Sequence, residues 1–310
     1  MKEISLALGG GGVRGIAHLG VIRALTSRGF HIKAVAGTSA GGIIGGLFVA
    51  GITDEGIRAF IHQATTNRKK FQRTRQDPPS LLGLEGFQDD LAGLLGDLRI
   101  EELLIRFSAT AVDEKTGQEI ILNKGRLVDA IRATIAVPGI FPAHRLGTHE
   151  LIDGAVLDPV PVRLARWLAP HLPVAAVCLT PPPEHWAEVS TITFPQNIGI
   201  PHPILDTLSR IRYTQAFQIF TNSMDISARM LAELRMQLDQ PEVIIRPAVA
   251  HIGLLDTVDP DELIRLGETA GAEAVVNLDK AFALPKRLHR TLTRAEMPGI
   301  SVDGDSGIHQ

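Results

Sequence analysis

Short continuous apolar runs alternate with stretches of helical periodicity along the first third of the chain. "EISLAL" (3–8) has the look of a strand buried on both faces, and it runs straight into four consecutive glycines. Ile16, Leu19, Ile22 and Leu25 then recur at three-residue spacing, predicting a helix that stops at Gly29. "IKAVAG" (32–37) reads as a second strand and "TSAGGIIGGLFVAG" (38–51) as the start of a second helix rich in small residues. Thr53 and Asp54 are suited to cap a third helix that runs from Gly56 to about Thr66. Strands and helices joined this tightly predict an α/β fold, with a mostly parallel central sheet flanked by helices on both faces.

The pattern breaks at "NRKKFQRTRQDPPSLLGLEGFQ" (67–88), whose basic residues, paired prolines and glycines read as a loop. It resumes with two strands joined by a turn at Asp113 to Gly117 and a short helix stopped by Pro138. "HELIDGAVLDPVPV" (149–162) then supplies a strand end and a turn, and "VAAVCLTP" (174–181) a further buried strand. After an irregular stretch over 181–203, residues 204–238 read as one long amphipathic helix. "EVIIRP" (242–247) is the last strand and 259–282 the last helix. No internal repeat or low-complexity segment is present, so one domain is expected over 1–284. Its core motifs fall within 4–180, its helical C-terminal part is 204–284, and a flexible tail covers 285–310.

A 45% apolar and 21% charged composition is ordinary for a globular chain and leaves the fold reading unchanged. The formal net charge of −3 argues against nucleic acid as the main partner. The lone cysteine, Cys178, excludes an internal disulfide and a cysteine-based zinc site, and no metal is expected. The most apolar stretch, 41–51, falls short of the ~20 residues needed to span a bilayer, and no secretory signal is visible. The expected location is cytoplasmic, with any membrane contact peripheral.

Two glycine-rich turns carry the chemistry. "GTSAGG" (37–42) matches G-x-S-x-G between a strand and a helix, with Ser39 at its centre. A serine on such a strained turn needs very small neighbours two residues away on either side, and Gly37 and Gly41 supply them. The other turn, after the first strand, has the G-x-G-x-x-G spacing of dinucleotide-binding loops at Gly10, Gly12 and Gly15. That reading requires an acidic residue ~20 positions later to hold a ribose. No Asp or Glu occurs between Gly29 and Thr53, and the expected position holds the serine turn instead. No dinucleotide or other cofactor is therefore expected. Adjacent parallel strands would bring both loops to one crevice, where glycine N–H groups suit the oxyanion of an acyl-transfer intermediate.

A serine nucleophile needs a proton acceptor. Asp153 ends a short apolar strand, which places it on the same sheet edge, and Gly154 permits a tight turn after it. Asp158 is a nearby rival beyond that turn. His18, His144 and His149 are the histidines to weigh for a triad, but none has a spacing that singles it out.

In this order, "GGGVRG", "GTSAGG" and "DGA" resemble the patatin-like phospholipase family, especially its bacterial members similar to the esterase domain of neuropathy target esterase. The resemblance extends through "GIAHLGVIRAL", "RATIAVPGIFP" and "DGAVLDPVPV", from about Ile4 to beyond Thr180. It implies the patatin-like three-layer α/β fold and a Ser–Asp dyad without histidine. Ser39 would be the nucleophile and Asp153 the general base, on a loop continued by Gly154 and Ala155. Gly10, Gly11 and Gly12 would donate to the oxyanion, with Arg14 and Gly15 completing that loop. It further implies hydrolysis of acyl esters of phospholipids, lysophospholipids or neutral lipids, with no metal. The same fold without catalysis, binding acyl groups or a partner, is the alternative. Two positions depart from the family pattern: Asp158 stands where Asn is common and Thr134 where Ser is common. An extra carboxylate close to Asp153 would raise the pKa of the base.

A lipid substrate requires a route to an interface. Asn67 to Arg75 gathers basic residues around Phe71, a composition that suits anionic head groups, although a solvated helix end is the favoured reading. The 181–203 stretch carries Trp186 and Phe194, which could belong to a lid or a packed loop. Leu205, Leu208, Ile211 and Phe217 form a helical stripe better suited to a core than to an acyl channel. The oligomeric state is left open.

Overall fold

The computed structural model describes residues 1–67, 71, 80, 82–188, 207–283 and 295–302; for 187–188 and 207–218 only the backbone is described. The chain begins with β1 (Lys2–Leu8), α1 (Ala17–Thr26), β2 (Phe30–Gly37), α2 (Ala40–Val49) and α3 (Asp54–Thr66). The Thr53 hydroxyl accepts from Gly56 N, so the helix start read from sequence is a real side-chain cap. α4 (Glu85–Leu95) follows, then β3 (Arg106–Asp113), β4 (Glu119–Leu122), α5 (Leu127–Thr134), β5 (His144–Leu146) and β6 (His149–Asp153). The rest is α6 (Val162–Leu168), β7 (Val174–Val177), α7 (Thr207–Asp239), β8 (Val243–Ile245), α8 (Pro260–Ala281) and β9 (Ile300–Ser301).

The strands form one sheet in the order β5-β6-β3-β2-β1-β7-β8, with β4 on β3 and β9 on β4. β3, β2, β1, β7 and β8 are parallel neighbours, as expected. β4 and β6 are antiparallel to β3, and β5 is antiparallel to β6. Period-two alternation splits the core between the two faces. Ile4, Leu6 and Leu8 of β1 pack with α1, α2 and α8, while Ala7 joins Ala34 and Ala36 of β2 under α6 and Ala232 and Met236 of α7. The result is three layers, with large residues on one side of the sheet and small ones on the other.

Three local expectations need revision. α4 starts at Glu85, inside the stretch read as loop, because Phe87, Leu91 and Leu95 give it a buried stripe at helical spacing. Phe71, read as part of a solvated helix end or, less favoured, as a head-group contact, is partly buried and stacks on Phe87 with ring centroids 5.7 Å apart. Ile300 and Ser301, placed in a flexible tail, pair in parallel with Ile120 and Ile121 of β4. Most of the basic segment around Phe71, Phe194 and the side chains of Leu205, Leu208, Ile211 and Phe217 lie outside the described residues.

Candidate active site

Ser39 lies between the end of β2 and the first turn of α2, with φ 54° and ψ −123°. A non-glycine residue in that region is strained and holds only where its surroundings fix it. The fixing contacts are visible. Thr38 N donates to Leu8 O at 3.0 Å, and Gly41 N turns back to Thr38 O at 2.9 Å. The Thr38 hydroxyl meets the Thr110 hydroxyl at 2.8 Å and donates to Asp158 O at 2.9 Å. Ser39 N donates to Thr134 Oγ1 at 2.9 Å. The sharp turn sets the buried side chain against the loop after β1, where a Cβ on Gly10 would stand 3.2 Å from Ser39 Cβ and 3.5 Å from Ala155 Cβ. Gly10 is therefore the place where the three sequence motifs touch.

Asp153 arrives from the opposite direction. β2 pairs with β3 up to Gly37 opposite Ala109, and β6 pairs with β3 down to Asp153 opposite Ala111. β4 pairs with both Ala109 and Ala111 from the other side, so β2 and β6 share one edge of β3 and meet end to end. The sequence reading put Asp153 at the C-terminal edge of a parallel sheet. The location is as expected, but an antiparallel strand delivers it. Gly154 lets the chain turn away tightly, since a Cβ there would stand 2.1 Å from Thr110 Oγ1.

Asp153 is buried, and its Oδ1 accepts from Ala155 N at 2.8 Å. Burial pushes its pKa up to about 7, while hydrogen bonding from Ser39 and Ala155 N pulls the other way. Oδ2 has no partner at full hydrogen-bonding geometry. The Ser39 hydroxyl is thus near enough to favour the carboxylate without a tight bond, a common resting arrangement for a nucleophile and its base.

The loop after β1 is held firmly. Gly9 N donates to Val177 O and Gly10 N to Pro159 O, at 3.0 and 2.9 Å. The second bond corrects one expectation: the Gly10 amide is occupied as a strut and leaves the donor set. Gly11 and Gly12 N–H groups have no acceptor among the described residues, and neither does Ala40 N at the start of α2, a donor the motif reading did not name. Arg14 is buried, donates from Nε to Gly11 O at 3.4 Å, and faces Asp225 of α7 at 3.5 Å. Burial lowers its pKa against the opposing field of Asp225. Asp225 is also paired with Arg229 at 2.8 Å. This anchor was not legible in sequence, because more than two hundred residues separate Arg14 from Asp225.

His18 is fully buried, with Nε2 at 2.7 Å from Gly9 O, and burial lowers its pKa to about 4. It is a neutral prop under the glycine loop. His149 pairs with Asp113 at 2.6 Å, at the far end of β6, roughly 13 Å from Asp153 along the strand. His144 lies 3.8 Å from Asp129. None of the three bonds to Ser39 or Asp153. Trp186 is half-buried and donates to Pro181 O at 3.0 Å, as a packed loop residue would. No group of described residues could hold a metal ion, and no described helix is long and apolar enough to cross a membrane.

A mostly parallel three-layer sheet, with a strained serine elbow at one edge and a glycine loop beside it, defines a patatin-type α/β fold. The family model described as patatin-like phospholipase matches residues 6–166, and the chain belongs to that family. It is 39% identical over 164 residues to the NTE family protein Rv1063c of Mycobacterium tuberculosis, covering 52% of this chain and 44% of that protein. It is 24% identical to lysophospholipase NTE1 of Eremothecium gossypii over 99% of this chain and 20% of that protein. The chain thus spans less than half the length of these relatives. VipD from Legionella pneumophila shares the fold with a TM-score of 0.50 and 14% identity, over 90% of this chain and 67% of that one.

Proposed function

We propose that the protein is a serine hydrolase of lipid acyl esters, with phospholipids or lysophospholipids as substrates and a Ser39–Asp153 dyad as its machinery. The observation that carries this reading is the meeting of a strained serine at a strand-to-helix turn with a buried carboxyl whose pKa is raised to about 7. A solvated aspartate is too weak a base for a serine proton, and burial brings Asp153 closer to the task. The family and the lysophospholipase name of one relative support the substrate class.

In the first step Ser39 Oγ attacks the ester carbonyl and its proton passes to the Asp153 carboxylate. The negative charge on the carbonyl oxygen is met by the Gly11 and Gly12 N–H groups, with the positive end of α2 and the Arg14 charge behind them. Collapse of the intermediate expels the alcohol, which takes the proton from Asp153 and leaves an acyl-enzyme. Water then gives its proton to Asp153 and attacks the acyl carbon, releasing the fatty acid and restoring Ser39 Oγ–H. Every group in this cycle is supplied by the chain, and no cofactor enters it.

Peripheral contact with a bilayer is part of the same proposal. Ile219, Ile226, Met230 and Leu234 are exposed along one face of α7, which supports it. Release of fatty acid from lysophosphatidylcholine and turnover of a short-chain nitrophenyl ester are expected from the wild type, with both lost in Ser39→Ala and in Asp153→Ala. Full activity in Ser39→Ala would sink the mechanism. Lipid binding with no turnover by the wild type would point instead to an acyl-binding protein of this fold.

A further inference from the structure

Ser39 and Asp153 are both held by one short piece of chain that the mechanism above does not use. α5 ends at Thr134, whose hydroxyl oxygen accepts the Ser39 N–H at 2.9 Å. Just beyond it, Ala136 O accepts the Asp153 N–H at 2.9 Å. Thr134 and Ala136 are both fully buried. The amides of the two proposed reacting residues are therefore tied to points two residues apart on the same segment.

Thr134 is itself fixed from two sides. Its hydroxyl faces Ser39 N, and its Cγ2 methyl fills the notch left by Gly42, where a Cβ would stand 2.5 Å away. A β-branched side chain held at both branches has a single χ1. That matters because Ser39 occupies a sparsely populated backbone region that persists only when neighbouring contacts over-determine it. The bond to Thr134 is the one side-chain contact made by the amide of the strained residue itself. It also commits that amide, so the donors left for an oxyanion are those of Gly11, Gly12 and Ala40.

We propose that Thr134 is a positioning residue: with Ala136 it sets the spacing and orientation of Ser39 relative to Asp153, through its hydroxyl. The inference rests on the hydrolase reading above. Substrate does not reach a fully buried side chain, so the effect belongs in kcat rather than in KM. Near-attack geometry tolerates little displacement, and a buried amide deprived of its acceptor would pull Ser39 out of place.

The test compares Thr134→Val, which keeps the shape and removes the hydroxyl, with Thr134→Ser, which keeps the hydroxyl and removes the methyl. Nitrophenyl ester kinetics are measured per active site, with sites counted by fluorophosphonate labelling. Thr134→Val is expected to lose about 10- to 100-fold in kcat with KM within twofold, the range of one lost buried acceptor. Thr134→Ser is expected within about threefold of wild type, the rescue that a hydroxyl-specific role demands. Wild-type kcat in Thr134→Val overturns the proposal. Should that variant fail to fold, Thr134→Ala replaces it: a kcat equal to that of Thr134→Ser overturns the proposal, and a tenfold deficit sustains it. A wild type without Ser39-dependent turnover overturns the hydrolase reading and this one together, whereas unchanged Thr134→Val turnover in an active wild type overturns this one alone.

Discussion

Gly37 and Asp153 stand end to end along a single edge of β3, opposite Ala109 and Ala111. The residue between those two, Thr110, touches both arriving chains. Its hydroxyl bonds that of Thr38, and Gly154 sits directly against it. The spacing of Ser39 and Asp153 thus depends on strand register at β3 together with the ties of their amides to Thr134 and Ala136.

Gly154→Ala tests that register. The added Cβ would stand 2.1 Å from Thr110 Oγ1 and 2.5 Å from Thr110 O, and the second atom is backbone that cannot swing away. The chain after Asp153 must shift, carrying the carboxyl with it. A displacement of about 1 Å is enough to cost on the order of 100-fold in turnover, and the overpacking costs about 1–3 kcal/mol of stability. Ester turnover and thermal melting check both; an active, unshifted Gly154→Ala protein would contradict the register argument.

The pH dependence of turnover reports the environment of Asp153. As a base it must be ionised, and burial raises its pKa to about 7, well above the ordinary aspartate range. The profile of kcat/KM is therefore expected to fall with unit slope below about pH 7 and to level off above it, because this ratio reports the free enzyme. Asp153→Asn is expected to remove turnover at every pH, since the amide keeps the acceptor for Ala155 N but takes no proton. A wild-type profile that stays flat down to pH 5 would mean that the base is another group.

Much of this arrangement was legible in the sequence, for physical reasons that differ by element. β1, β2, α1 and α2 announce themselves because their contacts are near in sequence and their periodicities are clean. Ser39 and Gly41 were legible because a strand-to-helix turn of this kind tolerates few residues. The direction of β6 was not legible: a five-residue strand carries no mark of parallel or antiparallel pairing, and only the three-way pairing of β3 decides it. The Gly10 strut was hidden for the same reason, since its acceptor, Pro159 O, comes from a distant loop. The packing of Phe71 was not legible because its basic neighbours in sequence say nothing about Phe87 and Phe141, the rings it meets in space.

Gly93→Ala is expected to stabilise the protein without touching the chemistry. Gly93 lies inside α4 on its exposed side, and a Cβ built there meets nothing within 4 Å. Glycine in a helix interior costs about 0.8–1 kcal/mol relative to alanine. A rise in melting temperature of about 1–2 °C, with unchanged turnover, is expected for a chain of this size. No rise would indicate that α4 is not a stable helix in solution.

Asp158→Asn is expected to gain stability at alkaline pH and none at acid pH. Both carboxyl oxygens of Asp158 are buried without a partner at full hydrogen-bonding geometry, although the Val160 N–H lies near enough to favour the carboxylate slightly. Burial raises its pKa well above 3.8, Glu119 of β4 and Asp239 of α7 push in the same direction, and Arg235 of α7 opposes them. Arg235 cannot fully neutralise it, because one arm of its guanidinium donates to Leu157 O at 3.1 Å. A carboxyl whose folded pKa lies above its unfolded value holds a proton that the unfolded chain has released. Stability from this group is then intact below about pH 4 and is lost progressively as pH rises toward the folded pKa. Asparagine has no such proton to lose. Turnover should survive, since what ties this residue to the site is its backbone: its N–H donates to Gly154 O at 2.8 Å and its C=O accepts from the Thr38 hydroxyl at 2.9 Å. Denaturant melts of both proteins at pH 4 and pH 8 decide the matter, with equal stability at pH 4 and a gain of at least about 1 kcal/mol for Asp158→Asn at pH 8 as the expected result. Equal midpoints at pH 8 would show that Asp158 is ionised in the folded protein at little cost, with its charge met by Arg235.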